Sequence, residues 1–211
     1  MNIEEKASKL VQFVQNLQGF RIVDEIDGNY NHIGATVADA ILQANMKYES
    51  HVRPRVNRIR TKFPQAANIS GLRRLLSEIS ITEFLDWRGM DRVKRFKDVV
   101  DLLADQGVET EQDFKGWLES EENLQKLKVI HGIGPKTADY FRILTGFQTS
   151  AVDRHLLKFL KIAGMNVSTY EEASLVINLA ADKMGIPRSH FDHSIWTYMS
   201  KSQSQSQCTV Y

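Results

Sequence analysis

The stretch that most constrains this chain is residues 124–155, LQKLKVIHGIGPKTADYFRILTGFQTSAVDRH. An apolar-periodic segment runs into Ile130-His131-Gly132-Ile133-Gly134, and a second helical segment opens with Pro135-Lys136-Thr137. Neither Gly132 nor Gly134 carries a Cβ, so the backbone can turn tightly here and approach a ligand closely. Pro135 suits the first helical position, where a missing N–H costs nothing. The spacing therefore predicts two helices joined by a hairpin over about 124–146. The N–H groups of Gly132, Gly134 and Lys136 then meet a positive helix terminus at one spot, an arrangement that favours anions such as phosphate. Lys136 sits one residue inside that terminus. Val152-Asp153-Arg154-His155 reads as the start of the next helix, one helix and a return loop later, which would bring Asp153 back near Lys136.

Around this stretch the pattern is helical almost throughout. Apolar residues recur at helical spacing over 2–18, 33–44, 47–63, 70–76, 81–87, 90–105, 110–118, 156–160, 169–184 and 187–199. Thr110-x-x-Asp113 has the form of a capping box, and Pro54 fits best near a helix start. Residues 20–26, between Gly19 and Gly28, are either a short strand or an extended link. Lys201 to Gln207 is a Ser/Gln-rich run, and the tail 201–211 is expected to be disordered. The fold class is all-α, with no internal repeat.

Composition bounds the function classes. At 211 residues the chain makes one domain or two closely packed lobes. With 42% hydrophobic and 25% charged residues it can bury a real core. A net charge of +1 does not advertise a nucleic-acid partner, so local distribution must carry that argument. The most basic run is Arg53, Arg55, Arg58, Arg60 and Lys62, either a solvated face or a phosphate contact. No apolar run approaches a membrane span, and Met1–Lys6 is too polar for a signal peptide. In a prokaryote a cytoplasmic protein, at the nucleoid, is expected; otherwise the location stays open. The single Cys208 excludes an internal disulfide and a cluster held by four cysteines. No His/Cys/carboxylate constellation suggests a catalytic metal.

The hairpin Ile130-His131-Gly132-Ile133-Gly134-Pro135-Lys136-Thr137-Ala138, followed by Val152-Asp153-Arg154-His155, resembles the helix-hairpin-helix (HhH-GPD) DNA glycosylases, the superfamily of endonuclease III and 8-oxoguanine glycosylase. The family pattern is roughly Leu-Pro-Gly-Val-Gly-x-Lys-Thr/Val-Ala, then Val-Asp-x-His. The resemblance runs through most of residues 30–200, but its specific motifs are confined to the hairpin and the Val-Asp segment. It implies a glycosylase domain over residues 1–200, made of two helical lobes flanking a cleft. One lobe would hold roughly 33–125 or more of the middle sequence, and the other would join the two chain ends. It implies a monomer acting on double-stranded DNA that contains a damaged or modified base. Lys136 falls on the family's nucleophile and Asp153 on its essential aspartate. Gly132, Ile133, Gly134 and Thr137 fall on the DNA-binding hairpin, and His155 on a phosphate contact. Asn45, in Gln43-Ala44-Asn45, falls where the family fills the hole left by the flipped nucleotide. The last helix, with Phe191, His193 and Trp196, would border the base pocket. Hairpin carbonyls of Lys128, Ile130 and Ile133 would hold a monovalent cation, K+ or Na+; no other cofactor is implied. The absent four-cysteine cluster departs from endonuclease III proper.

The chemistry explains why these residue types matter. Breaking a sugar–base bond builds positive charge on the sugar, which a carboxylate stabilises and a nucleophile can capture. Desolvation and nearby positive potential favour a lysine's neutral amine, and a helix N-terminus supplies the second. Capture by an amine leads to a Schiff base and strand scission by β-elimination; capture by water releases the base only. Family members with Tyr or Ser at this position are monofunctional. The sequence therefore reads as a base-excision DNA glycosylase with AP-lyase activity. The alternatives are a monofunctional glycosylase in which Asp153 activates water, and a non-catalytic hairpin that only grips DNA. Simpler roles stand beside each assignment: Lys136 as a surface lysine, Asp153 as a helix N-cap, Asn45 as a helix C-cap, and His155, Phe191 and Trp196 as packing residues. The excised base is left open.

Overall fold

The computed structural model describes the backbone of residues 1–207 and the side chains of residues 1–201. Among the described residues every regular element is helical and no strand occurs. The chain divides into two units, one of residues Gly28–Gly146 and one joining Met1–Asp27 to Phe147–Tyr211.

The middle unit is built on α2 (Ile33–Leu42), in which all ten residues are buried. A helix apolar on every side belongs at the centre of a domain. The helices α3 (Arg53–Lys62), α4 (Ile69–Glu78), α6 (Met90–Asp105), α7 (Glu111–Trp117) and α9 (Pro135–Leu144) pack on it. Two more complete the unit, α5 (Ile81–Leu85) and α8 (Glu121–Val129). The buried start of α2 has its polar groups satisfied from two sides. His32 Nδ1 accepts the Ala35 N–H at 3.1 Å, and its Nε2 lies 3.0 Å from the Phe63 carbonyl. An accepting Nδ1 requires the Nε2–H tautomer, and burial pushes the imidazole pKa down, which keeps it neutral. From α7 the buried Glu111 carboxylate accepts the His32 N–H and the Thr36 hydroxyl, each at 2.9 Å.

The other unit packs α1 (Ile3–Gln15) on α11 (Tyr170–Met184), and α10 (Arg154–Ile162) on α12 (Arg188–Gln207). Its core centres on Phe159, Phe191, Ile177 and Ile195, all fully buried. Both partners of the Thr110–Asp113 capping box are in place, and α1 has a second such box from Asn2 and Glu5.

Four details sharpen or correct the sequence reading. The segment 20–26 is an extended link, pinned where the Ser194 hydroxyl accepts the Val23 N–H at 3.0 Å. The helix expected over 47–63 is two pieces, a π-helical turn Tyr48–Val52 and then α3. Pro54 has no N–H to continue the ladder backward, and the Arg53 N–H instead reaches the Tyr48 carbonyl. Asn68 caps α4, which begins at Ile69, just ahead of the 70–76 periodicity. Finally, α12 continues to Gln207, so 201–207 is helical where disorder was expected. No Gly or Pro falls within α12 to stop propagation. Residues 208–211 of that tail lie outside the described residues.

Removing the Glu111 carboxylate strands the buried His32 N–H and leaves the buried Thr36 hydroxyl only its longer hydrogen bond, 3.3 Å, to the His32 carbonyl. Glu111→Ala is expected to cost about 1–3 kcal/mol, the penalty for one unsatisfied buried group. Glu111→Gln, which keeps an acceptor oxygen, should cost less. Urea unfolding of both variants checks this; an unchanged midpoint for Glu111→Ala would contradict it.

Candidate functional site

The hairpin lies within the middle unit, between α8 and α9. The Ile133 N–H closes the turn on the Ile130 carbonyl at 2.9 Å, and the Ile133 side chain, 4% exposed, anchors the loop in the core. Gly132 has φ +85°, a conformation that favours glycine. Gly134 caps α9 in an extended conformation, and a Cβ placed there would meet open space. Pro135 begins the helix. The N–H groups of Gly132 and Gly134 have no hydrogen-bond acceptor among the described residues. Thr137 differs from them: its N–H bonds to the Gly134 carbonyl at 3.1 Å and its side chain is buried, so it shapes the turn rather than offering a donor.

Two arginines of α6 brace this region. Arg95 Nε donates to the His131 carbonyl at 2.8 Å. Its guanidinium fills the space that a side chain on Gly132 would need, with Nη2 1.8 Å from where the Cβ would stand. Arg92 donates to the Ala44 carbonyl and lies over the Trp87 ring, 4.7 Å from its centroid. Burial, and then the charge of Arg95, lower the Arg92 pKa. Asn45, next to the carbonyl that Arg92 holds, is exposed in a left-handed conformation with φ +58°. The carbonyls of Lys128, Ile130 and Ile133 suit a monovalent cation poorly. The Ile130 oxygen already accepts the Ile133 N–H, and a guanidinium sits on the adjacent carbonyl and would repel a second cation.

Lys136 stands on the face of α9 that meets α2. Its Nζ donates to Gln43 Oε1 at 2.5 Å and lies 4.9 Å from the centroid of the Tyr140 ring. One turn further along both helices, the Tyr140 hydroxyl donates to Asp39 Oδ1 at 3.1 Å. Residues four apart share a helix face, so Asp39 and Gln43 on α2 form two rungs with Tyr140 and Lys136 on α9. Asp39 is fully buried, and its Oδ2 also accepts the hydroxyls of Tyr30 at 2.6 Å and Tyr48 at 2.7 Å. Burial first, and then the Asp39 charge, push the Tyr30 and Tyr140 phenols far above their ordinary pKa, so both stay protonated donors. Gln43 Nε2 is buried with no hydrogen-bond partner. None of Asp39, Gln43, Tyr30, Tyr48 and Tyr140 was singled out from the sequence. The available signal was Asp39 itself, a lone charge inside the apolar IGATVADAIL.

Asp153 belongs to the other unit. It is the N-cap of α10, with Oδ1 accepting the N–H groups of His155 at 2.7 Å and Leu156 at 3.1 Å. Its Oδ2 takes no part in the cap. His155 is 7% exposed and meets the Trp196 ring edge-on at 6.1 Å, while His193 stacks on the same ring at 5.7 Å. Burial lowers the His155 pKa, partly offset by the Asp153 charge, and its Nδ1 is buried without a partner. Phe191, expected to border a base pocket, is instead fully buried in the core against Phe20, because its helical register points it inward. Its neighbour Asp192 accepts the Ala151 N–H at 2.9 Å and so fixes the backbone leading to Asp153. His193 and Trp196 are half-buried.

Asp39 needs all its donors because an ionised carboxylate away from water is stable only when hydrogen-bonded. Asp39→Asn places an amide among three hydroxyls and is expected to destabilise the protein by about 2–4 kcal/mol, given about 1.5–3 kcal/mol for each hydrogen bond to a charged group. Chemical denaturation measures it; wild-type stability in this variant would contradict the assigned role.

Among the described residues, no group of three or more His, Cys, Asp or Glu side chains could hold a metal ion, and no helix is long and apolar enough to cross a membrane. No curated protein and no solved structure matches the chain. Residues 8–200 do match one family, described as a domain of unknown function (DUF8548), and the chain belongs to that family.

Proposed function

We propose that this protein is a base-excision DNA glycosylase with associated AP-lyase activity, acting on a damaged or modified base in duplex DNA. The observation that carries the reading is the hairpin. Gly132 and Gly134 offer N–H groups without an acceptor among the described residues, Gly134 opens onto empty space, and Lys136 follows in the first turn of α9. Together with the Val152-Asp153-Arg154-His155 segment, this is the motif pair that the glycosylase resemblance rests on.

In this reading a backbone phosphate seats against the hairpin N–H groups and the target nucleotide leaves the stack. The Lys136 ammonium loses a proton to solvent, and the neutral amine turns from Gln43 and attacks the sugar carbon. The bond to the base breaks, and its electron pair leaves with the base as that takes up a proton. The resulting carbon–nitrogen bond opens the sugar to a Schiff base. Loss of the adjacent proton then expels the 3′ phosphate by β-elimination, and water releases the lysine. Asp153 is assigned the carboxylate that offsets the developing sugar charge. With Oδ1 on the cap, Oδ2 is the oxygen for that task.

A second reading, a monofunctional enzyme in which Asp153 activates water, draws on one observation. Gln43 Oε1 and the Tyr140 ring both hold Lys136 as an ammonium would be held. Borohydride trapping on a panel of duplexes with different lesions separates the readings, because only an amine nucleophile leaves a covalent protein–DNA adduct. Lys136→Gln is expected to lose adduct and strand nicking while still binding DNA. Normal adduct yield in that variant would end the assignment.

Asp153→Asn separates the two roles of that residue. Asn caps a helix about as well as Asp, so the melting temperature should hold. Base release in single turnover should slow on the order of a hundredfold or more, as expected when a transition-state electrostatic partner is removed. Normal melting with a wild-type rate would make Asp153 purely structural.

A further inference from the structure

We infer that Arg95 is a phosphodiester ligand built onto the hairpin. The inference rests on the DNA-binding reading of the hairpin and extends it to a helix that carries none of the hairpin sequence.

The cations of α6 fall into two groups. Lys94 pairs with Asp98 at 2.6 Å and Lys97 pairs with Asp101, each one turn along the exposed face. Arg92 and Arg95, three residues apart on one face, form no salt bridge with a carboxylate among the described residues. Their hydrogen bonds go instead to the carbonyls of Ala44 and His131. Like charges at this spacing repel, and Arg92 is partly desolvated as well. The fold keeps two neighbouring guanidiniums with no carboxylate in salt-bridge contact among the described residues, the Asp91 charge offsetting their repulsion only in part, an arrangement that an external anion would relieve.

Arg95 is shaped for that task. Its Nε is committed to the His131 carbonyl, which holds the guanidinium plane against the turn. The terminal N–H groups have no partner among the described residues, leaving a fixed two-pronged donor. Such a fork matches two oxygens of a phosphate, and its orientation is set before binding. Gly132 makes this seat available, since any side chain there would displace the guanidinium. The fork thus stands at the same turn as the Gly132 and Gly134 N–H groups. Arg92, anchored to the Ala44 carbonyl and stacked on Trp87, keeps the adjacent turn of α6 and the 44–45 loop in place.

The test compares wild type, Arg95→Ala, Arg95→Lys and, as a control, Lys97→Ala. Binding to a short undamaged duplex is followed by fluorescence anisotropy across a salt series, and each variant is also melted with and without inorganic phosphate. Arg95→Ala should weaken duplex binding about tenfold and flatten the dependence of log K on log salt by about one phosphate contact. Arg95→Lys keeps the charge but lacks the fork, so it should restore the salt slope and only part of the affinity. Lys97→Ala should match wild type. If wild type binds duplex and Arg95→Ala shows the same affinity and slope, the inference is overturned while the DNA reading stands. If wild type binds no duplex, the DNA reading falls. Arg95-dependent thermal protection by phosphate would then support Arg95 as ligand for a smaller phosphate compound, and absence of that protection would overturn the inference too.

Discussion

The middle unit depends on one buried carboxylate. Asp39 sits on a helix with no exposed residue and is met by hydroxyls from Tyr30, Tyr48 and Tyr140. A charge in that position is tolerable only if its hydrogen bonds are made. The loop before α2, the π-helical turn after it and the face of α9 are therefore held to a common point. The same face of α9 carries Lys136, one turn from Tyr140, and the same face of α2 carries Gln43, one turn from Asp39. The position of the candidate nucleophile is in this sense a consequence of how a buried charge is satisfied.

The hairpin shows a different economy. Its glycines serve separate ends: Gly132 takes a positive φ and makes room for Arg95, whereas Gly134 has an ordinary extended φ and faces open space. One glycine is needed by the protein's own geometry. The other leaves the backbone accessible to something outside it. Arg95 adds a fixed positive charge to a turn already rich in N–H donors, so the hairpin has its cation supplied by a neighbouring helix. In the proposed reading, this is how a protein of nearly neutral net charge would present a local anion site.

In the terminal unit, Asp153 combines a structural and a chemical assignment without conflict, because a carboxylate has two oxygens and the cap uses one. The packing around it is dense: Val152 is buried before it, and His155 is buried after it against Trp196. A short side chain at a helix start, flanked by buried residues, has little freedom in where it points.

Features set by local physics were legible in the sequence alone. Helical periodicity, the Thr110–Asp113 capping box, Pro135 at the start of α9 and Asp153 at the start of α10 involve residues within a turn of each other, and their spacing announces them. Features that depend on what lies opposite were not. Nothing along the chain links Tyr30, Tyr48 and Tyr140 to Asp39, or Arg95 to His131, because each contact joins different elements, nine residues apart for Tyr30 and Tyr48 and 101 for Tyr140. Phe191 stood open between a pocket border and a packing residue, since helical spacing gives a face but not what that face meets, and tertiary packing sent it to the core. The Ser/Gln run was misread over 201–207, where composition suggested disorder but α12 continued. The sequence determined the all-helical class and where the hairpin's second helix begins; only tertiary packing decided that Gln43 meets Lys136, because that contact is made across the fold rather than along the chain.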